Sequence, residues 1–342
     1  MLADMRRRRR ALLRGALGIA VAVGVFVAVV PRIASYGSVA HQLATVSPPW
    51  AAGLAAAAAL DVATTGLPWR ALLPLSWFGA IGFTQASTAL TIVFPGGAPL
   101  GMAVSFGLLR RLRVAAGAAG FAVALTGIWS QVMILLYPLV GAALVFGSGR
   151  LSGSTAAIAG ASAAAGAIIT VLAVAVLRSR RAALWLGDAA ARVGAGVARL
   201  FRRSPPEWSG EALVRVREER LSHLRRSWPA LTAATLGNQL TAYLIFELSL
   251  RAVGVSVASV PPSETFLAWA IGRVISSLPL TPGGIGVVEL GMIGTLVGFG
   301  APHAHVVAAV LLYRGLVILP TLAVGAIALV AFRLRPSEAI SD

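Results

Sequence analysis

Stretches of some twenty apolar residues recur along the whole chain, parted by short polar loops and one long charged segment. A helix of that length spans the hydrocarbon core of a bilayer. The pattern therefore predicts an all-α polytopic membrane protein, with spans at Ala11–Val30, Pro49–Leu67, Pro74–Phe94, Val114–Tyr137, Thr155–Leu177, Trp228–Leu250, Glu264–Leu280 and Val306–Phe332. Two further apolar pieces, Ala98–Leu109 and Ile285–Phe299, are too short to cross comfortably, and the second would have to tilt. Each follows a break within an apolar region: Pro95-Gly96-Gly97 and Pro282-Gly283-Gly284. Proline and glycine are the poorest helix formers. In a bilayer the backbone groups they release need partners, so such breaks are tolerated where protein buries them or a watery cavity meets them. The expectation is about eight transmembrane helices plus two broken or re-entrant segments.

Composition agrees. Of 342 residues, 58% are hydrophobic and 12% charged, and the mean hydropathy of +0.84 excludes an ordinary water-soluble domain. The absence of cysteine excludes disulfides, thiolate metal sites and cysteine nucleophiles. Every basic residue is arginine, which in an Ala- and Gly-rich chain reads as GC-rich bacterial coding rather than chemistry. A net charge of +17 raises nucleic acid as a partner. The arginines, however, cluster in loops beside apolar spans, which points to anionic lipid headgroups and topology and to no nucleic acid.

Charge also orients the array. Arg6–Arg10 ahead of Ala11–Val30 reads as an uncleaved first span entered from the cytoplasm. Arg14, Arg70, Arg110, Arg111, Arg113, the arginines of Arg178–Arg226, Arg333 and Arg335 then fall on the same side. Only Arg32, Arg150 and Arg251 face the other, and Arg273 and Arg314 lie inside spans. The positive-inside rule thus predicts a multi-pass protein of a bacterial cytoplasmic (inner) membrane with both termini cytoplasmic. The two breaks are approached from opposite faces, the arrangement of an inverted repeat with a midplane site. Asp61 lies 34 residues before Pro95 and Glu247 lies 35 before Pro282, a weak echo of that symmetry.

A single membrane domain, 1–342, is expected: a first half at 1–147, a linking span and cytosolic loop at 148–227, and a second half at 228–342. In the loop, Leu186, Ala190, Val193, Val197 and Leu200 share a helix face flanked by Arg192, Arg199, Arg202 and Arg203. That predicts an interfacial amphipathic helix holding anionic lipid. Pro205-Pro206 ends it, and a charged helix around Glu211–Arg226 follows.

Candidate chemistry concentrates at the second break. Arg273, Ser276 and Ser277 share one helix face. Gly283, Gly284 and Gly286 lead into a new helix with Glu289 in its opening turns, and a helix that starts inside the membrane offers free amides to a phosphate or carboxylate. Arg314 lies well within the last span. Ionisable groups at such depth are costly and mark function, though a purely structural reading, Glu289 paired with Arg273 or Arg314 to clamp the broken helix, stands beside it. Near the first break, Thr84, Gln85, Ser87 and Thr88 make one side of a helix polar, and Ser130 and Gln131 punctuate the next; packing is the commoner role for such residues. Asp61, with no evident local partner, and Glu247 are candidates for ion or proton coupling. His303 and His305 have no carboxylate near enough for a metal site, Gly284-Ile285-Gly286 lacks a dinucleotide context, and a lysine-free chain holds no Walker lysine. No cofactor is expected.

These residues carry a resemblance. Ser276-Ser277 through Pro282-Gly283-Gly284-Ile285-Gly286 to Glu289, then Tyr313-Arg314 and Pro320, resembles the C-terminal motif of the lysylphosphatidylglycerol synthase transmembrane-region family, also called flippase-like. Phe94-Pro95-Gly96-Gly97 with Gly101 and Leu108-Leu109-Arg110 is similar to its looser first-half motif. The resemblance implies a membrane protein that handles or translocates phospholipid or lipid-linked headgroups, with Pro282, Gly283, Gly284, Gly286, Glu289 and Arg314 as its marked positions here. Full aminoacyl-phospholipid synthases add a large cytosolic transferase domain. The sequence runs only to Asp342, so synthase activity is not implied.

The expectation is a transporter that moves a phospholipid or polyprenyl-linked lipid between leaflets. Its headgroup would be held by Arg273, Ser276, Ser277, the Pro282–Gly286 turn, Glu289 and Arg314, with Pro95, Gly96, Gly97 and Gln85 opposite. Two alternatives remain open: a membrane-embedded transferase acting on a lipid phosphate, for which no catalytic motif is visible, and an accessory subunit of an envelope enzyme. Homo-oligomerisation is open as well.

Overall fold

Pro48 and Pro262 each stand in a first helical turn, where a fixed φ suits the helix and the missing N–H would have had no partner. The computed structural model describes residues 41, 44–93, 97–147, 149–150, 153–182, 184–185, 188, 192, 210–278, 281 and 284–334. Its regular elements are helices, named in chain order α1 (Pro48–Thr64), α2 (Leu67–Arg70), α3 (Trp77–Val93), α4 (Gly97–Arg111), α5 (Ala116–Phe146), α6 (Gly153–Arg178), α7 (Gly210–Ala252), α8 (Pro262–Ser277), α9 (Val287–Gly298) and α10 (His303–Leu334). Among the described residues, Pro48–Arg70, Ala116–Phe146, Gly153–Val176 and His303–Ala331 are long and apolar enough to cross a membrane. The chain is a polytopic all-α membrane protein.

The expected span Ala11–Val30, the break residues Pro95, Gly96, Pro282 and Gly283, and most of the expected interfacial helix over 186–200 lie outside the described residues.

Three observed boundaries differ from those expected. The span drawn to Tyr137 continues through Pro138 to Phe146. The charged helix around Glu211–Arg226 and the span Trp228–Leu250 are one 43-residue helix running through Pro229. Conversely, the span expected over Pro49–Leu67 stops at Thr64 and resumes as the short α2. An internal proline forfeits one ladder hydrogen bond, a loss that regular turns on both sides can offset.

Helix packing carries the symmetry. The broken pair α3/α4 packs its first member along α10 and its second against α5. The broken pair α8/α9 packs its first member along α5 and its second against α10. Exchanging α1 with α7, α3 with α8, α4 with α9 and α5 with α10 maps these packings onto one another, while α2 and α6 have no counterpart among the described helices. Close approach is made by small residues in both halves: a Cβ on Gly325 of α10 would lie 2.6 Å from the Gln85 carbonyl of α3. One on Gly141 of α5 would lie 2.9 Å from Leu267 Cα of α8. Between apolar helices in lipid, such intimate contact replaces the hydrophobic drive that water would supply.

The two ends differ in charge. Leu72, Leu73, Leu108, Leu109 and Leu231 are buried in one cluster, with Leu112, Val114 and Leu329 against it. That cluster draws the segments bearing Arg70, Arg110, Arg111, Arg113 and Arg226 to one end of the bundle. At the opposite end Arg150 pairs with Glu264 at 2.9 Å and donates to the carbonyls of Ser259 (3.4 Å) and Phe299. Between the ends Ile168, Val171, Leu319 and Ile327 are exposed. An apolar band of this extent belongs against acyl chains.

Candidate functional site

The second break is built by its glycines. Gly284 and Gly286 hold φ at +69° and +89°, where a side chain would be strained, and let the chain leave α8 and restart as α9 within a few residues. Thr281 Oγ1 donates to the Ile285 carbonyl at 3.0 Å and the Gly284 N–H to the Thr281 carbonyl at 3.0 Å, closing the turn. Glu289, in the first turn of α9, accepts from the Gly286 N–H at 2.7 Å through Oε2 and from Arg314 Nε at 2.6 Å through Oε1. Both charged groups are largely buried. Glu289 therefore caps its own helix and ties the break to α10, and its arginine is Arg314 rather than Arg273.

Depth follows from helical rise. Arg273 lies eleven residues along α8 from Pro262 and Arg314 eleven along α10 from His303, each about 16 Å from the end that carries Arg150. Glu289 lies about 14 Å from that end and Asp61, thirteen residues along α1, about 20 Å. Against a hydrocarbon core of about 30 Å, the four share a layer near the midplane.

Arg273 differs from Arg314. Its Nε is buried with no hydrogen-bond partner, and its side chain makes none among the described residues. Its guanidinium carbon is 6.0 Å from the Trp269 ring, and it acts electrostatically on Asp61, Tyr137 and Tyr313. Trp269 stands in a buried aromatic wall, 5.4 Å from Tyr137 and 5.7 Å from Tyr243, ring centre to ring centre. The hydroxyls of Ser276 and Ser277 donate to the carbonyls of Arg273 and Val274, each at 2.7 Å, so they keep only lone pairs for another group.

Asp61 has the partners that its own neighbourhood in sequence does not supply. Thr241 of α7 donates to Asp61 Oδ1 at 2.9 Å, and Asn238 Nδ2 reaches Thr64 Oγ1 at 3.1 Å and the Asp61 carbonyl at 3.5 Å. Glu247 is held on every side: Arg251 pairs with it at 2.6 Å, Tyr243 donates at 3.4 Å, and Thr265 hydrogen-bonds its Oε2. It sits near the Arg150-bearing end and ties α7 to α8. Gln85 is buried against α10 with Nε2 unpartnered, and no described contact joins it to Arg273. Gly97 starts α4. Thr84 and Ser87 turn their hydroxyls onto their own helix, at 2.7 Å and 2.9 Å, as packing residues do.

Sequence reasoning passed over Thr64, Thr241, Tyr137 and Trp269. The spacings Asp61–Thr64 and Asn238–Thr241 put each polar pair on one helix face, a signal available in the sequence. That the two faces meet was not.

Two interrupted helix pairs in one bundle, with charged side chains buried at mid-depth, define the class: a multi-pass membrane protein with polar and charged side chains inside its apolar core. The model of the family described as "Lysylphosphatidylglycerol synthase TM region" matches residues 15–325, and the chain belongs to that family. This places it among membrane proteins associated with lipid or cell-envelope biology. A search of curated proteins finds no match.

Proposed function

We propose that this protein moves an anionic lipid headgroup, on a phospholipid or a polyprenyl-linked lipid, between the leaflets of a bacterial cytoplasmic membrane, without changing it chemically. The observation that carries this reading is Arg273: a guanidinium near mid-depth, beside an interrupted helix, whose Nε is buried and unpartnered. Burying a cation there costs several kcal/mol unless an anion or water meets it, and a phosphate is the ligand its planar donors fit best. The Glu289–Arg314 pair holds the neighbouring turn in shape, so headgroup contact falls to Arg273 and Arg314 serves as the clamp. The arginine-bearing end faces the cytoplasm in this scheme, with both termini on that side.

The test is a leaflet assay in liposomes with a fluorescent anionic phospholipid and a membrane-impermeant quencher. Wild type should relocate the probe unmodified, and Arg273→Ala should slow relocation at least tenfold while keeping the wild-type melting temperature. Relocation by Arg273→Ala at the wild-type rate sinks the proposal; a chemically altered lipid would assign a transferase instead.

A further inference from the structure

Among the described residues, Asp61, Glu247, Glu264 and Glu289 are carboxylates held within the helical bundle, and they are not equivalent. Glu247 and Glu289 each have an arginine nitrogen at 2.6 Å, and Glu264 has one at 2.9 Å. Asp61 has no ion-pair partner among the described residues, although it too is buried. Its carboxylate offers about four lone-pair sites and receives one side-chain hydrogen bond, from Thr241. Even that proton is contested. Thr241 Oγ1 lies 2.9 Å from Asp61 Oδ1, 2.7 Å from the Asn238 carbonyl and 3.2 Å from Thr64 Oγ1, with a single hydrogen to give. Thr64 Oγ1 in turn lies 3.0 Å from the Asp61 carbonyl. Oxygens outnumber protons in this knot, and among the described residues no cationic group is bonded to it.

The surroundings agree. Asp61 and Thr64 form the last turn of α1, where the helix dipole is negative; the Asp61 backbone carbonyl there is already met by the Thr65 N–H at 3.2 Å, so it is the carboxylate that has capacity left. Interrupted membrane helices present such ends to sodium ions and protons. The Asn238 amide, 3.1 Å from Thr64, can turn its oxygen inward at no steric cost. Charged or titratable groups facing Asp61 are Arg273 from α8 and Tyr313 from α10. From α7 come only Thr241 and Asn238, and α3 contains no ionisable residue. One formal negative charge among neutral oxygens matches a monovalent cation, since divalent ions draw on more carboxylate.

We propose that Asp61, with Thr64, Thr241 and the Asn238 amide oxygen, forms a binding site for a small monovalent cation, a sodium ion or a proton, at the end of α1. Occupancy cancels the Asp61 charge, so the field of Arg273 is no longer offset and an anion beside it is held more tightly. By linkage the anion tightens the cation equally. This second step rests on the headgroup reading of Arg273; the cation site itself does not.

The experiment uses the full chain in nanodiscs of zwitterionic lipid, with no anionic lipid present. Radioactive sodium binding is measured by scintillation proximity, and the protonated-carboxyl infrared band is followed between about pH 5 and pH 9. A sodium site gives saturable binding that weakens roughly tenfold or more in Asp61→Asn and Thr241→Val and survives in Thr241→Ser. A proton site gives no sodium binding but a titrating carboxyl band that disappears in Asp61→Asn. Sodium binding undiminished by both Asp61→Asn and Thr241→Val, or neither sodium binding nor an Asp61-dependent band, overturns the proposal. If Asp61→Asn does not fold, Thr64→Val and Thr241→Val replace it, losing sodium binding or shifting the band's midpoint. Failure here with Arg273-dependent lipid relocation intact leaves an uncoupled scramblase; success here with no relocation removes the lipid reading alone.

Discussion

Glu289 and Arg314, on different helices and twenty-five residues apart in the chain, meet at 2.6 Å, and the same carboxylate caps Gly286 at 2.7 Å. One side chain thus determines both how α9 begins and where α10 lies beside it.

Removing that carboxylate leaves Arg314 without this partner and the Gly286 amide uncapped. Glu289→Ala should cost about 3–5 kcal/mol, the usual penalty for breaking a buried pair from one side. Thermal unfolding in detergent reads the loss. The double variant Glu289→Ala/Arg314→Met should be more stable than Glu289→Ala alone, because it no longer buries a guanidinium that has lost this carboxylate.

Gly286→Ala puts a Cβ on a residue at φ +89° and should cost about 1–2 kcal/mol. Gly294→Ala, on the same helix with open space around its Cβ position, should be neutral or stabilising by up to about 1 kcal/mol. Fluorescence-detected gel filtration after graded heating compares the two.

Two partly buried arginines should answer oppositely to truncation. Arg251 holds Glu247 at 2.6 Å and the carbonyls of Val255 and Val260 at 2.9 Å each, so Arg251→Ala should lower the melting temperature by several degrees. Arg273 makes no such bonds, and Arg273→Ala should leave the melting temperature unchanged or raised. A large destabilisation in Arg273→Ala would mean that its role is architectural.

Gly325→Val should separate α10 from α3, since any Cβ there lands 2.6 Å from both the Gln85 carbonyl and Ala89 Cβ. Backbone cannot yield as a flexible side chain does, so the cost should reach about 1–3 kcal/mol or more. Loss of monodisperse protein on gel filtration is the expected outcome, with Gly127→Ala as an unaffected control.

Much of the scaffold is legible in the chain. The apolar run lengths predict helices that begin and end within a few residues of those observed, at Gly153–Arg178 and His303–Leu334 for instance. Arginine placement anticipates which loops share an end, because charged side chains cannot stay in the hydrocarbon layer. The run through Pro229 and the continuation past Pro138 were not legible. Proline weakens a helix by a fixed local amount, whereas packing along its length decides whether it continues.

The residue types and their depth were settled by the sequence: arginines, carboxylates and glycine breaks in the middle of apolar runs, because solvation energy and helical rise depend only on what lies nearby along the chain. Which charge meets which was settled by the bundle. Glu289 could have taken Arg273 or Arg314, and Asp61 could have stood alone, until α10 brought one guanidinium to 2.6 Å and α7 brought Thr241 to 2.9 Å. Pairings between residues 25 and 180 positions apart are set by how helices stack, and the patterning within any one of them carries no record of it.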